Sequence, residues 1–98
     1  MGESFYKTKR WNRLRKAVLA RDNYQCQESK RYGKNVPANT VHHIFPREEY
    51  PQYQWESWNL ISLSGKVHDE LHDRTTRRLT DKGVDLQKRT ALKYEINL

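Results

Sequence analysis

The chain has 98 residues, of which 35% are hydrophobic and 32% are charged, and its formal net charge is +7. This length predicts a single domain over residues 1–98 with a modest core. No apolar run is long enough to span a bilayer or to act as a secretory signal. The single cysteine, Cys26, excludes an intramolecular disulfide and is compatible with a reducing, cytoplasmic location.

Basic residues gather near the first predicted helix and again after the last histidine. Clustered positive charge is typical of proteins that bind a polyanion, most often nucleic acid, although a basic surface can also serve solubility alone. The residues that we expect to contact a phosphate backbone are Arg10, Arg13, Lys16, Arg74, Arg77 and Arg78.

Residues 9–21 predict an amphipathic helix. Thr8 is a suitable N-cap, and apolar residues recur at steps of three and four, beginning with Trp11. Asp22-Asn23 predicts the end of the helix, because Asn tolerates the left-handed turn. Residues 24–39 are rich in turn formers and lack periodicity, which predicts an irregular loop with a short turn of helix near Pro37.

Two short β-prone runs follow, at residues 40–44 and 60–63. Pro46 ends the first run because it lacks a backbone donor. We expect the two runs to pair as an antiparallel hairpin, joined by a long loop of the kind that is usually functional or packed on itself.

A second helix is predicted after Ser64, which can cap it, and this helix should carry His68 and His72. Their spacing of four residues places both imidazoles on the same face. The tail, residues 76–98, contains Gly83 as a predicted break and a weak apolar stripe, and the sequence leaves its role open. The members of that stripe are Leu86, Leu92 and Ile96.

All four histidines of the chain fall into this one pattern: His42 and His43 on the first strand, His68 and His72 on the helix. Two helical imidazoles and one from the strand can bind a divalent cation with an open coordination position. The fourth imidazole is then free to take a proton from an attacking water. Adjacent strand residues point to opposite faces, so His42 and His43 can flank one site only if the strand ends or kinks there.

Each motif also has a simpler interpretation. A His-x3-His pair alone is more often two surface histidines than a metal site. The same fold could be a nucleic-acid-binding or complex-assembly module without catalytic activity. It could also use a metal ion only to stabilise its structure, and a chelator would then unfold it.

Taken together, the motifs resemble those of the HNH endonucleases, which carry the ββα-metal or His-Me finger, and the small phage-type members especially. The resemblance covers roughly residues 5–75 and extends to the nuclease domains of colicins. The matching segments are Arg21-Asp22-Asn23-Tyr24-x-Cys26 with the preceding helix, Val41-His42-His43-Ile44-x-Pro46, Asn59-Leu60-x-x-Leu63, and His68 with His72.

The resemblance implies an α+β domain in which the N-terminal helix packs on the hairpin and a helix follows. It implies that His43 is the general base, that His42, His68 and His72 bind the metal, and that Asn59 braces the loop between the strands. It further implies a DNA endonuclease that uses one Mg²⁺, Mn²⁺, Ni²⁺ or Zn²⁺ ion. Phage relatives can act beside a genome-packaging terminase or in homing, and the sequence leaves open the oligomeric state, DNA versus RNA, and nicking versus double-strand cleavage.

The chain departs from many phage relatives at a second metal site. Where those proteins bind a structural zinc with two Cys-x-x-Cys pairs, this chain has Cys26, Ser29, Ser64 and Val67. A hydroxyl and a Val side chain cannot replace thiolates around zinc. We therefore predict that no structural zinc binds here and that apolar packing and serine hydrogen bonds replace it.

Overall fold

The computed structural model describes residues 4–73, 75–76 and 78–97. Over these residues the chain forms four helices and one two-stranded antiparallel sheet, which confirms the predicted α+β class. The elements in chain order are α1 (Lys9–Arg21), α2 (Gln27–Arg31), β1 (Thr40–His43), β2 (Leu60–Leu63), α3 (Gly65–Glu70) and α4 (Asp81–Lys93).

Helix α1 has the bounds that the sequence predicts. The Thr8 hydroxyl accepts a hydrogen bond from the Trp11 N–H at 3.1 Å and so caps the helix. Trp11 and Val18 are buried and form a cluster with Leu60 of β2, which packs α1 against the hairpin. Asn23 follows the helix with a φ of 55°, in the left-handed region expected of its turn.

Helix α2 corrects the prediction of an irregular loop over residues 24–39 with helical structure near Pro37. The helix lies earlier in this segment, and Pro37 instead forms an isolated β-bridge with Gln25. Inside α2, the buried Glu28 accepts a 2.6 Å hydrogen bond from Arg89 of α4. This partner is distant in sequence, so local periodicity could not reveal the helix.

Strands β1 and β2 pair as predicted, with Thr40 opposite Leu63 and His43 opposite Leu60. The first strand ends at His43, one residue earlier than expected, although the Ile44 N–H still donates to the Asn59 carbonyl at 2.8 Å. The hairpin therefore closes directly after the two adjacent histidines.

Helix α3 begins as predicted, with the Ser64 hydroxyl accepting from the Val67 N–H at 3.2 Å. The prediction that His72 lies on this helix is wrong, because α3 ends at Glu70. Thr80 donates hydrogen bonds to carbonyl oxygens at the end of α3. Its N–H donates to the Leu71 carbonyl at 2.9 Å, and its hydroxyl donates to the Glu70 carbonyl at 2.7 Å. His72 then forms an isolated bridge with Leu79.

The tail forms α4, and Gly83 does not break it. Gly83 lies in the first turn, where an added Cβ would come within 2.7 Å of the Leu71 carbonyl oxygen, so a glycine is needed for close approach. The predicted stripe is partly wrong: Leu86 is buried in the main core cluster, but Leu92 is 82% exposed. None of the helices in the described ranges is both long and apolar enough to cross a membrane.

Candidate active site and metal centre

His42, His68 and His72 converge from three different places in the fold. His42 extends from β1, His68 from α3, and His72 from the bridged segment just after α3. One nitrogen from each ring lies within 4.8 Å of the others, and the ring centroids are 5.1–5.3 Å apart in edge-on arrangements. His68 and His72 are therefore close to each other, as their spacing of four residues predicts. They do not share a helical face, however, because α3 ends before His72.

The environment keeps at least two of these imidazoles neutral at neutral pH. Burial, with smaller contributions from His68, His72 and His43, lowers the pKa of His42 to about 3. Burial and the neighbouring His72 also lower the pKa of His68 below its usual value. Neutral nitrogen donors are what a metal ion needs, so the cluster fits a divalent ion such as Zn²⁺ or Mn²⁺.

His43 points away from this cluster, into an aromatic environment. Its ring stacks on Trp11 of α1 with centroids 5.2 Å apart and lies 5.6 Å from the Phe5 ring. His43 is the last residue of β1, so the two histidines use opposite faces of the strand end, as the alternation of side chains requires. They remain close enough for the charge of His43 to affect the pKa of His42.

A backbone carbonyl fixes the tautomer of His43. Nε2 lies 3.1 Å from the carbonyl oxygen of Gln54, which can only accept a hydrogen bond. Neutral His43 must therefore carry its proton on Nε2, which leaves the lone pair of Nδ1 as the basic position. Burial lowers the pKa of His43; the Gln54 carbonyl opposes this shift and Arg47 adds to it.

Asn59 holds together the loop that supplies this carbonyl. Its side chain is fully buried, and Oδ1 accepts from the Phe45 N–H at 2.7 Å. Nδ2 donates to the Phe45 carbonyl at 3.1 Å and to the Tyr53 carbonyl at 3.2 Å. Since Tyr53 immediately precedes Gln54, the amide fixes the backbone that orients His43.

Four of the six basic residues expected to contact nucleic acid are described by the structure, and all four are exposed. Arg10, Arg13 and Lys16 are exposed on α1, and Arg78 is exposed beyond α3. Arg74 and Arg77 lie outside the described residues. Arg47, which sequence reasoning missed, is half-buried near His43 with its guanidinium carbon 3.7 Å from the Phe5 ring centroid. It lies in a loop without periodicity, so the sequence contains no signal that distinguishes it from other surface arginines.

The region around Cys26, where many phage relatives bind a structural zinc, is stabilised by the apolar packing and serine hydrogen bonds that the sequence predicts. Ser29 donates a hydrogen bond to the sulfur of the buried Cys26 at 3.3 Å, and Val67 packs against the core cluster that contains this cysteine. Burial alone would raise the pKa of the Cys26 thiol, but hydrogen bonds from Ser29 and Ser64 lower it below its usual value. The absence of a structural zinc stays a prediction.

A two-stranded hairpin followed by a helix, with histidines converging at their junction, defines a ββα-metal nuclease fold. No protein-family model matches the chain, and no curated protein matches it either. The chain is similar to the crystal structure of the HNH endonuclease of the deep-sea thermophilic bacteriophage GVE2, determined with manganese ion. The identity is 38% and the TM-score 0.65, over 66% of this chain and 71% of that chain. This protein therefore belongs to the HNH endonuclease family.

Proposed function

We propose that this protein is a metal-dependent DNA endonuclease in which His43 is the general base and His42, His68 and His72 bind the metal ion. The observation that carries the proposal is the convergence of three imidazoles beside a fourth, His43, whose Nε2 is engaged by the Gln54 carbonyl, so that Nδ1 is the nitrogen left to accept a proton. Membership in the HNH endonuclease family supports the same conclusion.

His43 performs the proton transfer in this proposal. Its Nδ1 takes a proton from the attacking water as the water oxygen bonds to phosphorus and the bond from phosphorus to the 3′-oxygen breaks. The leaving oxygen takes a proton from solvent, which gives 5′-phosphate and 3′-hydroxyl ends. A divalent ion, when bound, neutralises the charge that develops on the phosphate and on the leaving oxygen.

Asn59 is a positioning residue in this mechanism. It touches neither the phosphate nor the water, but it fixes the Phe45 and Tyr53 backbone on either side of the loop. The Gln54 carbonyl then holds His43 in one tautomer, so the base needs no rearrangement before it acts.

Manganese is the first ion to test, because the similar phage enzyme was determined with manganese. Magnesium, nickel and zinc are the other candidates, and three nitrogen ligands favour the transition metals among them. The substrate is DNA, held mainly through its phosphate backbone by the exposed Arg10, Arg13 and Lys16 of α1.

The similar solved structure is a bacteriophage protein, which supports a phage setting for this chain as well. Action in the host cytoplasm, in homing or beside a packaging terminase stays a prediction from the sequence.

The test is a plasmid-relaxation assay at low salt with EDTA or with one of the four ions, using wild type and His43→Ala. We expect nicking that depends on the ion and that falls about 10²–10⁴-fold in the variant, the usual contribution of a general base. Thr40→Ala is the matched control, because Thr40 lies on the same strand and, among the described residues, its hydroxyl bonds only to the adjacent Asn39 side chain. It should cut normally.

DNA affinity and circular dichroism should be unchanged in His43→Ala. Normal cleavage by this variant would refute the assignment of the base. No cleavage by wild type with any ion, together with a salt-sensitive gel shift, would favour the catalytically silent binding module instead.

A further inference from the structure

A group of aromatic and arginine side chains beside His43 takes no part in the proposed proton transfer. We call it the aromatic–arginine platform and define it as Phe5, Tyr6, Arg10, Arg47 and Trp55. Phe5 connects its members: its ring centroid lies 5.1 Å from that of Tyr6 and 4.4 Å from that of Trp55.

Tyr6 differs from the other rings of this group because it is not needed for the core. Phe5 and Trp55 pack against the buried cluster of α1 and β2, whereas Tyr6 keeps 52% of its surface exposed. The Tyr6 ring nevertheless lies only 6.1 Å from the His43 ring. Its contacts with Phe5, Trp11 and His43 are all edge-on, so none of these rings stacks parallel on it.

The two arginines of the platform have no carboxylate partner among the described residues. The Arg10 guanidinium lies over Trp55, with its carbon 4.0 Å from the ring centroid, and that of Arg47 lies over Phe5 and at 5.1 Å from Tyr6. Among the described residues, the one hydrogen bond that Arg47 donates is a long 3.4 Å bond to the Gln54 side chain, although Glu48 and Glu49 follow it in sequence. Within the described ranges, the arginines that form ion pairs are Arg21, Arg31 and Arg89, none of which belongs to the platform.

This combination has the chemistry of a nucleotide site. Guanidinium groups that lie over aromatic rings, and that have no carboxylate partner in the described part of the chain, can direct N–H donors to phosphate oxygens. An exposed aromatic ring offers a face on which an unpaired base can stack. A base inside a duplex is already stacked on its neighbours and would have to be extruded at a cost of a few kcal/mol.

We infer that the platform binds an unpaired nucleotide next to the scissile phosphate, with its base on Tyr6 and its phosphates on Arg47 and Arg10. The inference rests on the proposed function in that it names the preferred substrate class: single-stranded DNA, or DNA with a flap, gap or bubble at the cleavage point. Intact duplex is then the poorer ligand.

Binding in EDTA tests the inference without cleavage. Fluorescence anisotropy would compare a labelled single strand of about twelve thymidines, within the range of single-strand site sizes, with a duplex of the same length. Stacking of one base contributes a free energy equivalent to about 5- to 150-fold in affinity. We expect Tyr6→Ala to lose this factor on the single strand, with a change of about two-fold or less on the duplex.

Tyr32→Ala is the matched control. Tyr32 is 74% exposed and also has an arginine near its ring, Arg31 at 5.6 Å, but it lies at the end of α2 and its arginine is paired with Glu28. This variant should bind both DNAs as wild type does, and Tyr6→Phe should retain single-strand affinity. Equal losses on both DNAs in Tyr6→Ala, or no loss on either, would overturn the inference.

Photocrosslinking of wild type to a strand that contains 5-iodouracil provides a second measurement, which does not depend on the folding of any variant. Crosslinks at Tyr6 or Phe5 support the platform, and crosslinks confined to other residues overturn it. Failure of the nuclease proposal is separate: it would appear as plasmid cleavage that is absent or that does not depend on His43.

Discussion

Replacement of Asn59 by alanine should cost both stability and activity. The amide is fully buried and makes hydrogen bonds of 2.7, 3.1 and 3.2 Å to the backbone of Phe45 and Tyr53. Asn59→Ala leaves the buried N–H and carbonyl of Phe45 without the Asn59 amide, and each such group costs about 1–3 kcal/mol, whereas the Tyr53 carbonyl keeps a hydrogen bond from the Glu56 N–H at 3.2 Å. Since a carbonyl can find a second partner more easily than an N–H can, we expect a total loss of about 3–5 kcal/mol.

That loss is large for a small domain, whose entire stability is about 5–15 kcal/mol. At about 4–8 °C per kcal/mol for a chain of this size, Tm should fall by at least about 12 °C. Thermal unfolding followed by circular dichroism measures this shift directly. Asn12→Ala is the matched control, because Asn12 is exposed on α1, and its stability should stay within about 0.5 kcal/mol of wild type.

The effect on activity separates positioning from stability. At a temperature where Asn59→Ala is still folded, kcat should fall because the Gln54 carbonyl no longer holds His43, while the affinity for the metal ion should change little. Metal affinity is measured by titration of the protein with Mn²⁺. A variant with wild-type Tm, or one whose metal affinity falls as much as its kcat, would refute the role that we assign to Asn59.

Two further predictions concern ionisable groups. Because the pKa of His42 is about 3 in the folded protein and about 6.5 when unfolded, the unfolded chain binds the extra proton between these values. The metal-free protein should therefore lose stability as pH falls below about 6.5, by up to about 1.4 kcal/mol per pH unit from His42. Urea unfolding at pH 7.5, 6 and 5 measures the loss, and equal midpoints would contradict it. Glu28→Gln should destabilise the protein by about 1–3 kcal/mol, because it leaves the partly buried Arg89 without one of its carboxylates. Glu70→Gln, which breaks only the exposed pair with Lys82, should cost at most about 1 kcal/mol, and equal effects of the two substitutions would show that burial is not the cause.

The parts of the fold that the sequence predicts correctly depend on local signals. Helix α1 is one example, because its cap and its apolar spacing lie within the same short segment as the helix itself. The hairpin is another, because two β-prone runs flank one loop. The closeness of His68 and His72 also follows from spacing, since residues four apart stay close whether the backbone is helical or turns just beyond the helix.

The parts that the sequence could not predict depend on contacts between distant segments. Helix α2 is stabilised by the pair between Glu28 and Arg89, which are separated by 61 positions. The end of α3 is set by Thr80, ten residues beyond Glu70. Arg47 and Gln54 reach His43 only because the loop between the strands folds back over the strand end, and no periodicity marks that loop.

The contact between Thr80 and the end of α3 connects the C-terminal helix to the histidine cluster that we propose as the metal centre. His72 lies on a short segment that is closed by its bridge to Leu79, and Thr80 both closes that segment and caps α4. Gly83 allows α4 to approach the same turn closely. If the proposed ligands bind the ion, metal affinity depends on the packing of α4, which holds none of the three histidines, and we expect sequence changes in α4 to alter ion binding while every histidine stays in place.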